Sequence, residues 1–299
     1  MTRVAVVTIA HGRHDHLAGQ HRTLAGGTRV PDDYLVVAMD DDAIVEREEG
    51  GLRRRVVHVG PGREGRLPLA MARNLGVRTV LDAGADVVVL LDVDCLPGAG
   101  LVEAYADVVA ARPQWIWSGP VTYLPPPPPE GYPADPADLA AWDDPHPARP
   151  DLAPGRLLDD LDPDLFWSLS FAVSPAAWAR VGGFCEDYTG YGGEDTDFAR
   201  SAVVHGVGLG WVGAARAYHQ HHPVSSPPVE HVDDILRNGR LFHERWGEWP
   251  MQGWLEDLER ARLVERVGGN WVRTTRSTRN TRSTRSTRTT RTTQEGTTP

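Results

Sequence analysis

The chain has 299 residues, of which 40% are hydrophobic and 24% charged, and its formal net charge is −10. This length suffices for one large domain or two modest ones, and the composition is ordinary for a globular protein. Two cysteines, Cys95 and Cys185, exclude a disulfide framework and are too few for a structural zinc site. No apolar run approaches the roughly 20 residues that cross a bilayer. We therefore expect no transmembrane segment, and, because residues 3–10 resemble a strand more than a signal peptide, a cytoplasmic location.

The negative charge lies before the C-terminal end of the chain. Residues 273–299 hold seven Arg and one Glu, a net of +6, which leaves about −16 on residues 1–272. An acidic body argues against nucleic acid as the main partner, and acidic clusters that need a cation suit metal-dependent work on anionic small molecules. The tail, residues 273–299, repeats Arg at every third position and has no apolar side chain, which predicts disorder.

Four short, nearly continuous apolar runs dominate the first part of the chain, at residues 3–10, 34–42, 53–60 and 85–95. Such runs are typical of strands that are buried on both faces. Residues 67–84 carry apolar side chains at roughly helical spacing and stop at Gly84, which predicts a helix. The alternation predicts an α/β fold, a mostly parallel sheet flanked by helices, with ligands beyond the carboxyl ends of its strands.

The composition changes at residue 123. Residues 123–164 are dense in Pro and Asp, which predicts a long surface loop. The later patterns predict a strand over 165–174, helices over 175–182, 196–206 and 229–247, and a strand within 209–223 that ends in histidines.

Asp92 and Asp94 lie one residue apart at the end of the strongest strand signal. A turn at this point would bring both carboxylates to the sheet edge, where a divalent cation makes their proximity favourable. An isolated pair of this kind is equally compatible with a capped turn at an exposed strand end. His219, His221 and His222 follow a later strand, and imidazole joins carboxylates around ions such as Mn²⁺. The acids at 40–42 end another strand at the same edge, where one could bind a base or ribose.

The segment YTGYGGEDTDF, residues 188–198, places Glu194, Asp195 and Asp197 within four positions, directly after a glycine-rich turn. The N-terminal amides of a helix would offset part of this charge, so one acid could be a helix cap. Capping does not account for three acids. We expect Asp197 to be structural and the first two to act in the site.

Several motifs in order resemble one family. An apolar first strand followed by Arg, ARNLG, LLDVDC, VGGFCEDYTGYGGEDTDF and a final His cluster are similar to the GT-A-fold glycosyltransferases. The similarity is greatest to glycosyltransferase family 2 and to the β-galactosyltransferases with their GWGGEDDD element, and it covers nearly all of residues 3–222. It implies sugar transfer from a nucleotide-sugar donor, with UDP preferred, to an unknown hydroxyl acceptor (a glycan, lipid or small molecule), with Mn²⁺ or Mg²⁺ as cofactor.

The resemblance also implies an organisation and a donor site. Residues 1–272 would form one GT-A catalytic domain, with a nucleotide-sugar-binding half (1–121), the Pro-rich loop (122–163) and an acceptor-binding half (164–272). Asp94 would ligate the metal together with His219, for which His222 is a rival, and Asp92 would lie near the ribose or the metal. The residues implied in donor binding are Ala10, Arg13, Asp40 and Arg73.

On the acceptor side, the resemblance makes Asp195 the general base and Glu194 a residue that binds or orients the acceptor. Tyr191 stands where the family usually has Trp, a platform for a sugar ring, and Gly192 and Gly193 let the backbone approach that sugar closely. Thr196 replaces one acid of the galactosyltransferase run, so that subfamily's sugar preference does not carry over. A base opposite the leaving group predicts inversion at the anomeric carbon.

Two other functions remain open at this stage. A sugar-phosphate nucleotidyltransferase would need a Gly-rich basic loop after the first strand, but TIAHGRHDH has one Gly and no Lys. A non-catalytic nucleotide-sugar-binding protein would keep the aspartate pair and tolerate loss of GGED. A phosphatase with an aspartate pair is disfavoured, because its nucleophilic Asp belongs at the first strand.

Overall fold

The structure is a computed structural model that describes residues 2–159, 161–223 and 225–274. The first half contains β1 (Val4–Ala10), α1 (His14–Ala25), β2 (Asp33–Met39), β3 (Arg47–Glu49), β4 (Leu52–Val59), α2 (Leu69–Asp82), β5 (Val87–Leu91), β6 (Cys95–Pro97), α3 (Leu101–Ala111), β7 (Trp115–Ser118) and β8 (Val121–Tyr123). The second half contains β9 (Leu157–Leu158), β10 (Ser170–Val173), α4 (Pro175–Val181), α5 (Glu194–Val204), β11 (Gly208–Val212), β12 (Ala217–His219), α6 (Val232–Trp246), α7 (Gln252–Arg260), β13 (Val264–Val267) and β14 (Asn270–Arg273).

A large sheet forms the centre of the molecule, with the strand order β3-β4-β2-β1-β5-β10-β7-β11-β9. The strands β4, β2, β1 and β5 pair in parallel, as the apolar runs predict. β10 pairs antiparallel with both β5 and β7. The chain enters β10 from the edge of the sheet at which the parallel strands end, so β10 runs in the opposite direction. Among the described residues four of the eight strand pairings in this sheet are parallel, so the α/β prediction is confirmed but the sheet is mixed.

Helices cover both faces of the large sheet, which explains why its strands are apolar without alternation. Val4 and Val6 of β1 face a core layer that includes Leu17 of α1. The intervening Ala5 and Val7 face the opposite layer, which α2, α4 and α5 complete. A separate apolar cluster joins α6, α7 and the hairpin β13–β14.

Several boundaries differ from the sequence predictions. The strand predicted over 85–95 ends at Leu91, because residues 92–94 form a turn and Cys95 begins β6 in another sheet. The strand predicted over 165–174 is limited to β10, because residues 163–165 form a 3-10 turn. The helix predicted over 196–206 begins at Glu194, two residues earlier. The sequence patterns did not predict α1, α3, α7 or the C-terminal hairpin.

The Pro-rich segment is not purely a surface loop. Leu139 lies in a short 3-10 helix and is fully buried, and Arg149 and Leu161 are each 4% exposed. Of the predicted disordered tail, Arg273 instead ends β14, and residues 275–299 lie outside the described residues. Within the part of the chain that the structure describes, no helix combines the length and apolar character needed to cross a bilayer.

A second, three-stranded sheet has the order β6-β12-β8 and lies at the carboxyl edge of the large one. β12 pairs antiparallel with β6 and parallel with β8. The chain leaves β7 for β8 through Gly119, which approaches the Ala215 carbonyl so closely that a Cβ at this glycine would lie 1.7 Å from that oxygen. The close backbone approach at residue 119 therefore fixes where β12 lies.

We expect Gly119→Ala to lower the free energy of unfolding by about 3 kcal/mol, the upper end for overpacking, because the obstructing atom is backbone. Gly60→Ala is the matched control, since nothing lies within 4 Å of a Cβ at Gly60 and its φ is not positive. Denaturant unfolding of both variants measures the difference. Equal stability of the two variants would contradict the close approach.

Candidate active site

The small sheet brings the predicted histidines to the aspartate pair. His219, the last residue of β12, lies opposite Cys95, the first residue of β6. The backbone N–H of Gln220 also donates to the Asp94 carbonyl at 2.7 Å. Residues that are far apart in the chain therefore meet, because β12 pairs with the strand that directly follows Asp94.

Asp94 lies between two imidazoles. Its Oδ1 is 3.4 Å from Nε2 of His219, and its Oδ2 is 3.3 Å from Nε2 of His222. One ligand atom from each of the three residues lies within 4.8 Å of the others. Burial acts to raise the pKa of Asp94, but hydrogen bonds to the two histidines and their charge outweigh it, so this pKa is well below the usual value. An ionised carboxylate with two imidazoles is a donor set that fits a Mn²⁺-like ion.

The turn at residues 92–94 is held from inside by Gln20 of α1, which is fully buried. Its Nε2 donates to the carbonyls of residues 92 and 95 at 2.7 and 3.0 Å. Its Oε1 accepts hydrogen bonds from the Thr8 and Tyr34 hydroxyls at 2.8 and 2.7 Å. The amide thus uses both donors and both acceptor sites. The sequence gives no signal for Gln20, because its partners at the turn are carbonyls 72 and 75 positions away.

Arg73 of α2 joins the aspartate turn to the start of α5. Its Nη1 donates to Glu194 Oε1 at 3.0 Å, and its Nη2 donates to Asp92 Oδ1 at 3.2 Å. The guanidinium also lies 5.3 Å from the ring centre of Phe184. Burial acts against the charge of Arg73, but the charges of Asp92 and Glu194 raise its pKa. Burial raises the pKa of Asp92 in spite of this ion pair. The resemblance implied that Arg73 faces the donor, whereas the structure places it between two carboxylates.

Glu194 and Asp195 form the first turn of α5, directly after a segment that we call the TGYGG loop (residues 189–193). Oε2 of Glu194 is buried and has no hydrogen-bond partner among the described residues. Oδ1 of Asp195 accepts a hydrogen bond from the Thr196 N–H at 2.8 Å. Burial, followed by the charge of Glu194, raises the pKa of Asp195 to about 7. Arg73 therefore holds Glu194, while the neighbouring Asp195 can exchange a proton near neutral pH.

The third acid of the segment, Asp197, is 1% exposed and bonds elsewhere. Its Oδ1 accepts hydrogen bonds from Nε of Arg245 at 2.6 Å and from Nε1 of Trp246 at 2.7 Å. Both partners lie on α6, so Asp197 links α5 to α6. It has a structural role, as the sequence pattern predicts.

Tyr191 presents a ring that is 38% exposed. It stacks on His231 at 4.6 Å and on Trp254 at 5.7 Å between ring centres. Burial, and after it the charges of Asp195 and Glu194, raise the pKa of Tyr191. Gly192 and Gly193 have φ values of +96° and +90°, which favour glycine and allow the sharp turn into α5.

The ends of β1 and β2 form the other side of the site. Ala10 is the buried last residue of β1, and Arg13 is exposed with left-handed backbone just before α1. Asp40 is exposed, whereas Asp41 accepts a hydrogen bond from the N–H of residue 12 at 2.8 Å and lies 3.2 Å from Nε2 of His14. Burial opposes ionisation of Asp41, but hydrogen bonds from the backbone N–H groups of residues 12 and 43 lower its pKa. The acid that contacts the β1–α1 loop is thus one residue later than the one selected from the sequence.

The sequence patterns did not indicate one aromatic and one basic residue near the site. Tyr123 lies at the edge of the Pro-rich segment, and Arg149 lies within it. Tyr123 is 46% exposed and stacks on His219 at 4.6 Å between ring centres. Arg149 is buried with its guanidinium over the rings of Trp167 and Trp211, at 4.8 and 5.2 Å. It donates to the carbonyls of residues 119 and 167, and burial lowers its pKa. This arginine fastens the Pro-rich segment beneath the small sheet.

These groups form one connected site at the carboxyl edge of the large sheet. The charge of Asp94 raises the pKa of Asp92, which is bonded to Arg73. Arg73 is bonded to Glu194, and the charge of Asp195 also raises the pKa of Arg73. Arg73 therefore links the start of α5 to the turn that carries Asp94, the carboxylate of the acid–imidazole cluster (Asp94, His219 and His222).

Comparisons with known proteins agree with this arrangement. A family model described as the N-terminal domain of galactosyltransferase matches residues 161–223. A validoxylamine A glucosyltransferase of Streptomyces hygroscopicus subsp. limoneus is 30% identical over 225 residues, which cover 68% of this chain and 48% of the relative. The enzyme of the same name from S. hygroscopicus subsp. jinggangensis (strain 5008) is 45% identical over 42 residues, or 14% of this chain and 10% of that one. The chain thus spans about half or less of the curated relatives that it matches.

Two solved structures share the fold at low sequence identity. TarS residues 1–349 of S. aureus superimpose with a TM-score of 0.53 at 11% identity, covering 81% of this chain and 65% of that one. GalNAc-T7, crystallised with UDP, GalNAc and Mn²⁺, superimposes with a TM-score of 0.50 at 12% identity, covering 87% and 57%. The two solved structures show that this chain has a GT-A-type fold, and the match over residues 161–223 and the glucosyltransferase relatives support a glycosyltransferase.

Proposed function

We propose that this chain is a metal-dependent, inverting glycosyltransferase that moves a sugar from a UDP-linked donor to an acceptor hydroxyl, with Asp195 as general base. The observation that carries the proposal is that Arg73 bonds both Glu194, the neighbour of Asp195, and Asp92, which lies two residues before Asp94. The raised pKa of Asp195, about 7, supports the role of base. In this proposal residues 1–272 act as one catalytic domain, with the donor bound mainly by residues 1–121 and the acceptor by residues 164–272.

The leaving nucleoside diphosphate gains negative charge as the sugar departs. Asp94, His219 and His222 would hold the cation, which would act as a Lewis acid on the diphosphate when bound. Arg13, which is exposed just before α1, would supply positive charge to the same anion. Asp92 remains with Arg73 and would meet the ribose through its other oxygen.

The acceptor hydroxyl must lose its proton as it attacks. Asp195 would take that proton, a role for which a base with a pKa near the working pH is well suited. The buried, unpartnered Oε2 of Glu194 would accept a hydrogen bond from a second acceptor hydroxyl. With the base on the acceptor side and the cation site on the donor side, the hydroxyl approaches opposite the leaving group, which gives inversion.

The base and ribose of the donor would lie over the ends of β1 and β2. Ala10 supplies a small, buried strand end there, and Asp40 and Asp41 supply two carboxylates for hydroxyl or base N–H groups. Asp41 is already oriented by the β1–α1 loop, so we include it with Asp40 in the donor site. The UDP preference is supported by the UDP in the GalNAc-T7 structure.

The acceptor side supports a ring-shaped, polyhydroxylated acceptor. Tyr191, in the TGYGG loop before the acids, and Tyr123, which stacks on His219, both present exposed rings, and aromatic faces stack well on the C–H faces of such sugar-like rings. The curated relatives are named for validoxylamine A as acceptor. Validoxylamine A is therefore the first acceptor to test.

A melting-temperature screen of UDP and GDP, each with and without Mn²⁺, tests the donor site. We expect UDP with Mn²⁺ to stabilise by roughly 2.7 kcal/mol at 100 times the Kd, because binding to the folded state alone shifts unfolding. UDP-glucose hydrolysis and transfer to validoxylamine A are then measured. Stabilisation without turnover would indicate a binding protein, and pyrophosphate release from UTP with glucose 1-phosphate would indicate nucleotidyl transfer. Either result would overturn the proposal.

A further inference from the structure

Helix α6 makes side-chain hydrogen bonds to the backbone of the TGYGG loop. Nδ2 of Asn238 donates to the carbonyls of Tyr191 and Gly192 at 3.2 and 2.9 Å. Oδ2 of Asp234 accepts from the Tyr191 N–H at 3.2 Å. Asn238 is 1% exposed and Asp234 is 8% exposed, so these bonds compete little with water.

The loop and Asp234 are in close contact. Gly190 has a φ of +69°, and a Cβ there would lie 2.2 Å from Oδ2 of Asp234. The Gly190 N–H donates to the carbonyl of residue 67 at 3.0 Å. Arg237 donates to Oδ1 of Asp234 at 3.0 Å and also to the carbonyl of residue 189, and Arg66 pairs with the same carboxylate. The Asp234 carboxylate thus contacts two arginines and the backbone of the loop.

The loop needs such external bonds. Three of its five residues are glycines with positive φ, and glycine loses more conformational freedom on ordering than any other residue. The loop leads directly into Glu194 and Asp195 and carries the partly exposed Tyr191 ring. Whatever fixes residues 190–192 therefore sets the position of the acids and of the ring with respect to each other.

We propose that Asp234 and Asn238 are positioning residues that hold the TGYGG loop and thereby set the acceptor-binding geometry of Tyr191, Glu194 and Asp195. The catalytic part of this inference rests on the proposed function, but the loop-holding part does not. Neither residue touches the acid–imidazole cluster through any contact among the described residues, so their action is specific to the acceptor side.

The first test measures the loop itself. Amide hydrogen exchange is compared for the unaltered chain, Asn238→Ala, Asn238→Asp and Ile235→Val. Asn238→Asp keeps the size of the side chain but removes both donated hydrogen bonds. Ile235→Val is the matched control, because Ile235 lies on the same helix and is fully buried in the α6–α7 core. We expect roughly tenfold faster exchange across residues 189–195 in both Asn238 variants and no local change in the control.

The second test measures UDP-glucose hydrolysis and transfer to validoxylamine A. We expect kcat/KM for the acceptor to fall roughly 10- to 100-fold in both Asn238 variants, since small displacements of reacting groups cost about this much. Stabilisation by UDP with Mn²⁺ should stay within error of the unaltered chain. Asp234→Asn, which keeps an acceptor for the Tyr191 N–H, should retain more transfer than Asp234→Ala.

Exchange that is unchanged over residues 189–195, or that rises equally along α6 and the β13–β14 hairpin, would overturn the inference. Equal loss of donor binding and acceptor transfer would do so as well, because that pattern indicates general unfolding. If the unaltered chain neither hydrolyses UDP-glucose nor transfers glucose from it, the proposed function has failed. The exchange comparison then still decides whether Asn238 and Asp234 hold the loop.

Discussion

Asp195→Asn is expected to lower the rate of sugar transfer roughly 10²- to 10⁴-fold, the range that general base catalysis contributes. Asn has nearly the same size and can still accept the Thr196 N–H bond, but it cannot take a proton from the acceptor. Stabilisation by UDP with Mn²⁺ should persist, because Asp195 does not belong to the Asp94 cluster. Steady-state kinetics and the melting temperature with UDP separate the two effects.

The matched control is Asp197→Asn, the same substitution two residues later on the same helix. Asp197 pairs with Arg245 and Trp246 on the far side of α5, so its loss should lower the melting temperature and leave kcat/KM within about threefold. Near-normal turnover by Asp195→Asn, or an equal collapse in both variants, would remove Asp195 from the role of base.

The pH dependence gives a further check on the same residue. Burial raises the pKa of Asp195 to about 7, so the carboxyl is increasingly protonated as the pH falls through 7. A protonated carboxyl cannot accept the hydroxyl proton, and kcat/KM should therefore decline on the acid side of about pH 7. The decline should be absent from the residual activity of Asp195→Asn. A flat profile for the unaltered chain between pH 5 and 8 would contradict the assignment.

Asp94→Ala is expected to lower transfer by roughly 10³-fold, because a Lewis acid supplies several kcal/mol and each 1.4 kcal/mol is tenfold in rate. Asp94 is the carboxylate between the two imidazoles, and its removal takes the charge from the cation site. Mn²⁺ binding, followed by electron paramagnetic resonance of the free ion, should weaken in parallel, which gives a readout that does not depend on turnover.

His221→Ala is the control for this set, since His221 is exposed and lies outside the cluster. His219→Ala and His222→Ala should each weaken Mn²⁺ binding, because both imidazoles meet Asp94 at similar distances. If all three histidine variants bind Mn²⁺ equally well and chelation leaves transfer unchanged, the cluster is not a cation site.

The sequence was sufficient for the parts of the fold that depend on local pattern. The buried strands β1, β2, β4 and β5 stand out as apolar runs, and α2 has a clear helical spacing and a Gly stop. α1 was missed because the helix begins with His14–Asp15–His16, which resembles a polar loop, and because its buried face includes the polar residues Gln20, His21 and Thr23. The small sheet could not be predicted, because β12 joins β6 and β8 only through the tertiary fold.

The candidate site divides in the same way. Asp94, Asp195 and the histidines carry motif signals, and the structure brings them to one edge of the sheet. Gln20, Asn238 and Arg149 carry none, because each acts on backbone carbonyls that are distant in the chain. The sequence pattern cannot distinguish among three consecutive acids, and Asp40 was selected. In the structure Asp40 has a positive φ, and the Asp41 side chain that follows it accepts a hydrogen bond from the β1–α1 loop.

The middle strand of the small sheet has a consequence for any attempt to divide the protein. Residues 1–121 contain the parallel strands β4, β2, β1 and β5 and the aspartate turn, so they resemble a self-sufficient nucleotide-binding fragment. The imidazoles that complete the cation cluster arrive only with β12, near residue 219, after the chain has built its far side. An excised N-terminal piece would therefore have lost two of the three candidate ligands for the ion. If the proposed function is correct, binding of a metal–nucleotide complex requires residues from both parts of the chain.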